Sequence, residues 1–367
     1  MKFNEFVFII LWMGIMALFF HYVKVEEPMT VLGKKENRTA LWAAVLVVIP
    51  LVIMTANRGN FADSINYHQT YDRMPSTFGS MLDYLTSFKK DVAFYYLTGF
   101  IKVIFKQDYA FYFFVLALIQ TLSLVKIYRR YSIDYVMSIF LFIASTDYIS
   151  WMFNGIRQFT AVTIIFAGTT WLLEKKYIPY ILLIIFASTF HQSALLMIPI
   201  TFIVSGGAWN KRTIMLLIAA LLIVAYVEVF TNILDGLLEE TQYENVVSDW
   251  KSWNDDGTNP LRVLVYCIPA IISFVGRKII RYENDTLINL CTNMSIVTAG
   301  LYLVSMVTSG IFIGRLPIYT SLFNYILLPW EIKNLFNERS KAVLLVALYS
   351  SYLFFYVYQV HFQSNLF

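Results

Sequence analysis

The sequence predicts an all-α, polytopic membrane protein of about twelve transmembrane helices, with both termini outside and an external, partly re-entrant helical segment over 57–108. Three observations lead there. Of the 367 residues, 58% are hydrophobic and only 14% charged, with a mean hydropathy of +0.62, whereas soluble domains carry roughly a quarter charged residues. Apolar stretches recur, among them 6–20 with its flanks, 41–56, 110–125 and 342–360, each able to cross a hydrocarbon core of roughly 30 Å. The basic residues fall in short clusters between these stretches, as topology signals do.

In chain order the expected spans are 3–22, 39–56, 109–128, 134–152, 155–173, 178–191, 192–206, 212–230, 261–279, 286–308, 316–334 and 341–361. The first lacks a small-residue cleavage site before His21-Tyr22-Val23-Lys24 and reads as a retained span rather than a signal peptide. With 23–38 in the cytoplasm, the inner loops collect 17 of the 28 basic residues, including Lys126, Arg129, Arg130, Arg277 and Arg281. The opposite face takes most of the acids, seven of them between Asp235 and Asp256 in an outer loop over 231–260. The apolar run 92–105 would reverse every later loop if it crossed, so an outer amphipathic helix followed by a re-entrant or interfacial helix is expected there. Residues 177–210 are barely enough for two crossings at about 1.5 Å per residue, which places a turn at Phe190-His191-Gln192-Ser193. No internal repeat supports an inverted-repeat transporter, and 1–367 reads as a single membrane domain.

The net charge of +4 is topological and does not point to nucleic acid. Cys267 and Cys291 lie in apolar runs and read as buried thiols, not as a disulfide or metal site. Asp255-Asp256-Gly257-Thr258-Asn259 is a weak calcium-like fragment and reads as a turn. No metal or cofactor is expected.

The polar residues gather at the outer boundary in four groups. The first is Asn57-Arg58-Gly59-Asn60-Phe61-Ala62-Asp63, continuing to Asn66, Tyr67 and Tyr71; in a helix, Asp63, Tyr67 and Tyr71 share one face. The second is Asn154-Gly155-Ile156-Arg157-Gln158. The third is the turn at His191 and Ser193. The fourth runs from Ser309 to Pro317 through Gly314-Arg315, with Tyr319 one turn on. Taken singly, Arg58 and Arg315 read as interfacial anchors, Asp63 as a helix cap and His191 as a packed imidazole. Arg157 resists such a reading, because its nearest acid in sequence is Asp147, and a boundary arginine without a local partner is a functional candidate. Arginines around one pocket can grip a diphosphate bidentately and stabilise it as it leaves, while Asp63 or His191 takes a proton from an attacking hydroxyl. Trp250 and Trp253 in the outer loop suit sugar faces or interfacial anchoring equally.

These motifs, Arg58-Gly59…Asp63…Tyr67, Gly155-Ile156-Arg157-Gln158-Phe159-Thr160-Ala161, Phe190-His191-Gln192-Ser193-Ala194 and Gly314-Arg315, resemble the EpsG family of Wzy-like bacterial exopolysaccharide and O-antigen polymerases. Where that family carries an acidic-Pro-Gly-Phe start after the first outer helix, this chain reads Asp91-Val92-Ala93-Phe94. The resemblance implies a glycosyltransferase of the bacterial cytoplasmic membrane. Its substrate would be an oligosaccharide on undecaprenyl diphosphate, joined into chains at the outer face, with membrane lipids around it and a flippase and a chain-length regulator as protein partners. Asp63, His191, Arg157 and Arg315 would be catalytic; Arg58, Asn66, Tyr67, Tyr71, Asn154, Gln158, Ser193, Tyr319, Trp250 and Trp253 would hold substrate. A polysaccharide ligase, a flippase and a membrane O-acyltransferase are the rival readings.

Overall fold

The structure, a computed structural model, describes residues 3–22, 27–31, 34–59, 63–238, 252 and 255–363. It is helical apart from one antiparallel hairpin, β1 (Glu27–Val31) with β2 (Lys34–Arg38). Among the described residues, three helices are long and apolar enough to cross a membrane: Tyr109–Tyr131, Thr286–Met306 and Glu338–His361. The number rises to six if each of three sharply bent pairs counts as one span. The helices cluster into two compact units, one formed by 1–196 with 336–367 and the other by 197–335.

The first unit opens with α1 (Phe3–Tyr22) and α2 (Leu41–Ala56), followed by three short helices, α3 (Ser64–Arg73), α4 (Phe78–Leu85) and α5 (Val92–Phe105). Then come α6 (Tyr109–Tyr131), α7 (Tyr135–Ala144), a π-turn over Tyr148–Asn154, α8 (Ile156–Ala167), α9 (Thr169–Leu173) and α10 (Tyr177–Ser188). Aspartates start two of these helices: Asp108 accepts from Phe111 N–H at 3.1 Å and Asp134 from Met137 N–H at 2.9 Å, each satisfying an orphan donor of the first turn. Small residues let α2 sit close to its neighbours. Ala43 and Ala44 are fully buried, and the Tyr135 hydroxyl donates to the Ala44 carbonyl at 2.7 Å. Pro50 has no N–H for the Leu46 carbonyl four residues back; the Trp12 indole of α1 donates there instead, at 3.3 Å, and to Val47 at 3.2 Å.

Several expected spans are interrupted. The 134–152 span breaks at Ser145–Asp147 and turns by 73°. The Ser145 hydroxyl donates to the Leu141 carbonyl at 2.7 Å and Thr146, at φ +62°, donates to its neighbour's carbonyl at 2.6 Å, so hydroxyls compete with the helix ladder. The 155–173 span is divided at Gly168 into α8 and α9. The turn expected near His191 is present, with α10 ending at Ser188 and a 3-10 turn starting at Gln192. The amphipathic helix expected after residue 57 is α3, and 92–105 is a helix of 14 residues.

The second unit runs through α11 (Met197–Val204), α12 (Lys211–Ala225), α13 (Val227–Leu238), α14 (Pro260–Val275), α15 (Arg277–Glu283), α16 (Thr286–Met306), α17 (Ile318–Ser321) and α18 (Asn324–Leu335). The expected span 212–230 ends at Ala225 and bends by 106° into α13, so 231–238 of the presumed outer loop is helical. The span 261–279 bends by 70° at Gly276, and 316–334 is broken between α17 and α18. The core helix is α16. Its Asn289 and Asn293 carbonyl oxygens accept from Ala208 and Trp209 N–H, both at 3.0 Å, while the Asn293 amide donates to Val204 and Gly207 carbonyls at 2.9 and 3.0 Å. The loop before α12 is thus held by side chains of a buried helix. The final helix, α19 (Glu338–Tyr358), belongs to the first unit; its Tyr356 hydroxyl meets Tyr148 at 2.8 Å and donates to the Phe6 carbonyl at 3.0 Å.

Glu331 on α18 is fully buried, and neither carboxyl oxygen has a hydrogen-bond partner among the described residues. An unpaired buried polar group costs about 1–3 kcal/mol, so Glu331→Met is expected to raise the melting temperature of the purified protein by a few degrees. An unchanged or lower melting temperature would show that the carboxyl has a stabilising partner.

Candidate functional site

The π-turn explains where α8 begins. Gly155 N–H donates back to the Ser150 carbonyl at 3.1 Å, and a Cβ at Gly155 would stand 2.9 Å from the Trp151 ring. A side chain here would have to displace the buried Trp151 ring. The carbonyls released by this turn are captured from the segment after α2. Arg58 donates to the Met152 carbonyl, and the Ser64 hydroxyl to the Phe153 carbonyl at 3.1 Å.

Arg58 therefore differs from the expectation of an interfacial or phosphate-facing arginine. It is only 2% exposed, its guanidinium lies 3.6 Å from the Phe113 ring centre and 5.5 Å from that of Phe153, and burial pulls it down to about 9. It pins the π-turn from inside. Tyr71 is likewise enclosed: fully buried, stacked on Tyr112 at 4.7 Å, with its hydroxyl donating to the Gln107 carbonyl at 3.0 Å. That surrounding makes it a packing residue instead of a surface that meets substrate.

The first turn of α8 presents Arg157 and Gln158 to two different neighbours. Arg157 Nη1 is 2.6 Å from Asp91 Oδ2, and its Nε donates to the Tyr67 hydroxyl at 3.2 Å. Arg157 has no acid nearby in sequence, and its partner reaches it from 66 residues upstream. Asp91 sits just before α5 in the left-handed region, at φ +53°. Its carboxyl is pushed up by burial, with Arg157 pulling the other way and the net above the ordinary range. Burial also raises the Tyr67 hydroxyl, Arg157 opposing it, so at neutral pH Tyr67 keeps its hydrogen. The arrangement is rich in donors. Of five guanidinium N–H groups, Arg157 uses two; the remainder and the Tyr67 hydrogen have no partner among the described residues. Arg157 is 35% exposed and Asp91 12%, so a ligand can reach the pair from one side.

On the other side, Gln158 Nε2 donates to Ser193 Oγ at 3.3 Å, and Ser193 Oγ is 2.7 Å from His191 Nδ1. The two arms approach each other again through the backbone, where Ala93 N–H beside Asp91 donates to the Thr189 carbonyl beside His191 at 3.0 Å. Asp63 stands at the N-cap of α3 without a side-chain capping bond, and its carbonyl accepts from Asn66 and Tyr67 N–H. It lies within electrostatic reach of Tyr67. Asn66 is exposed on α3 and Asn154 half-buried at the end of the π-turn.

Arg315 and Tyr319 belong to the second unit. Arg315 ends a 3-10 turn over Ile313–Arg315 and is half-buried; Tyr319 is 3% exposed on α17. The loop before Arg315 is organised by Asp255. Its carboxylate accepts from the Ser309 hydroxyl at 2.6 Å and from Gly310, Ile311 and Gly257 N–H at 3.0, 3.0 and 3.2 Å. Gly257, at φ +87°, faces the Ser305 and Met306 carbonyls with no room for a side chain. The calcium-like fragment is thus a turn whose acid binds backbone, and no group of three metal-ligating side chains occurs among the described residues. Trp250 and Trp253 lie outside the described residues. The sequence reading missed Asp91 as a partner, although the acidic start to its segment was the available signal.

A family model described as the EpsG family matches residues 41–367. No curated protein and no solved structure matches the chain.

At Asp255, burial pushes the carboxyl up, but the Ser309 hydroxyl and three backbone N–H groups outweigh it and hold the carboxyl below its ordinary value. A lowered value means the stabilisation is present above the unfolded-chain value of about 3.9 and is lost as pH falls through the lower folded one. Asp255→Ala should cost about 1–2 kcal/mol at pH 7, and the gap to the parent protein should narrow progressively as pH falls below about 3.9. Equal melting of the two proteins at pH 7 would refute the role.

Proposed function

The chain belongs to the EpsG family, and from that premise we propose that it is a membrane polysaccharide polymerase. In this reading it joins oligosaccharide units carried on undecaprenyl diphosphate by glycosyl transfer at the outer face of the bacterial cytoplasmic membrane, about twelve spans placing both termini outside. The observation that supports it most is the donor-rich pair at the start of α8. Arg157 is oriented by Asp91 and Tyr67 while most of its guanidinium donors remain available, as a group that must meet diphosphate oxygens requires.

A hydroxyl of one unit attacks the anomeric carbon of another, and the bond to the lipid diphosphate breaks. Arg157, with the Tyr67 hydroxyl, takes up the charge that develops on the leaving diphosphate. Asp91 is a positioning residue that holds the guanidinium plane. Ser193 Oγ, accepting from Gln158 and 2.7 Å from His191 Nδ1, holds the imidazole beside the site. The base is Asp63, whose side chain makes no capping bond, or His191. The sequence pattern assigns Arg315 the same anion-binding role as Arg157. Asn66, Asn154, Trp250 and Trp253 remain sugar-binding candidates.

Arg157→Ala is expected to abolish long polymer while single lipid-linked repeats accumulate at the outer face, at normal protein level. Repeats trapped on the inner face would indicate a flippase, and normal chain length would end the assignment. Asp91→Asn should lower the yield of long chains at least tenfold, whereas Asp63→Asn should abolish them if Asp63 is the base. Both are read by gel analysis of the polymer.

A further inference from the structure

The far end of α8 carries a second feature that polymerisation does not use. From Arg157 to Ala167 the helix rises roughly 15 Å at about 1.5 Å per residue, and there α6, α8, α9 and α10 enclose a groove of about 420 Å³. Lys126 and Arg130, one helical turn apart on α6, form one wall; both are exposed. Lys126 donates to the Ala167 carbonyl at the end of α8 at 3.1 Å, which holds the ammonium at the groove mouth. No acid lines the groove. The nearest one in sequence, Glu174, pairs with Lys176 at 2.8 Å and lies within electrostatic reach of Arg130, outside the groove lining.

The other walls are apolar, built from Ile164, Leu183 and Trp171. They run on into exposed apolar side chains of α10, Ile178 at 76% and Leu182 at 60% exposed, a surface that bilayer hydrocarbon covers. The groove therefore combines two cations at its head with a greasy body that opens sideways. A free anion would satisfy only the first part, and an apolar chain only the second. We infer that this groove binds an anionic phospholipid of the surrounding bilayer, its phosphodiester between Lys126 and Arg130 and an acyl chain along Trp171 and Leu183. Basic clusters beside membrane helices recognise such headgroups, and Lys126 and Arg130 belong to a basic cluster at the end of α6 that the charge pattern puts on the cytoplasmic side.

The test uses the purified full chain in neutral detergent, titrated with phosphatidylglycerol or phosphatidylcholine of equal chain length and read by native mass spectrometry. The parent protein should retain one phosphatidylglycerol with a preference of about tenfold or more over phosphatidylcholine, two surface cations contributing. The double variant Lys126→Gln/Arg130→Gln should lose that preference, and Lys126→Arg/Arg130→Lys should keep it. Both sites are exposed, so folding is expected to survive; equal melting temperatures check this. An undiminished preference in the glutamine variant would overturn the inference. So would displacement of the lipid by millimolar inorganic phosphate, because the site would then be one for free anions.

Discussion

Backbone groups released at a helix break have to find partners where water is scarce, and this protein is organised by how it finds them. Pro50 frees a carbonyl that Trp12 takes. The π-turn frees two that Arg58 and Ser64 take. In the second unit, Asn289, Asn293 and Asp255 complete the loops before α12 and before Arg315. In each case a polar side chain reaches across from another element, so the breaks are the places where distant segments are tied together.

The candidate site is a product of those ties. Because Arg58 and Ser64 fix the end of the π-turn, α8 starts with Arg157 beside Tyr67 and Asp91, and with Gln158 beside Ser193. Arg58 belongs to the same polar cluster in sequence but stands behind this site, sandwiched against Phe113. A buried guanidinium that donates to a carbonyl loses much if truncated, since its partner is left unsatisfied. Its importance is that of a fastener.

The membrane-length helices were legible from apolar composition, and most observed helices fall inside the expected stretches. The breaks were less so. Ser145 and Thr146 look like ordinary members of an apolar run, and only their bonds to nearby carbonyls show why α7 stops. Arg157 stood out because a charge amid apolar residues has few bland explanations. Its partner did not, because the acid that opens the 92–105 segment carries no local sign of pairing across 66 positions. Arg58 and Tyr71 were read as surface groups from polar neighbours in sequence, whereas aromatic rings from α6 and the π-turn bury the one and a ring of α6 covers the other. The motifs that suggested the EpsG family are those around which the ties converge.

Arg157 and Gln158 are consecutive residues on one rigid turn, yet they reach opposite arms of the site. Their side chains leave that turn in different directions, one to Asp91 and Tyr67 and the other to Ser193. The spacing between the two arms is therefore set by the helix itself and not by the loops that carry Asp91 and Ser193.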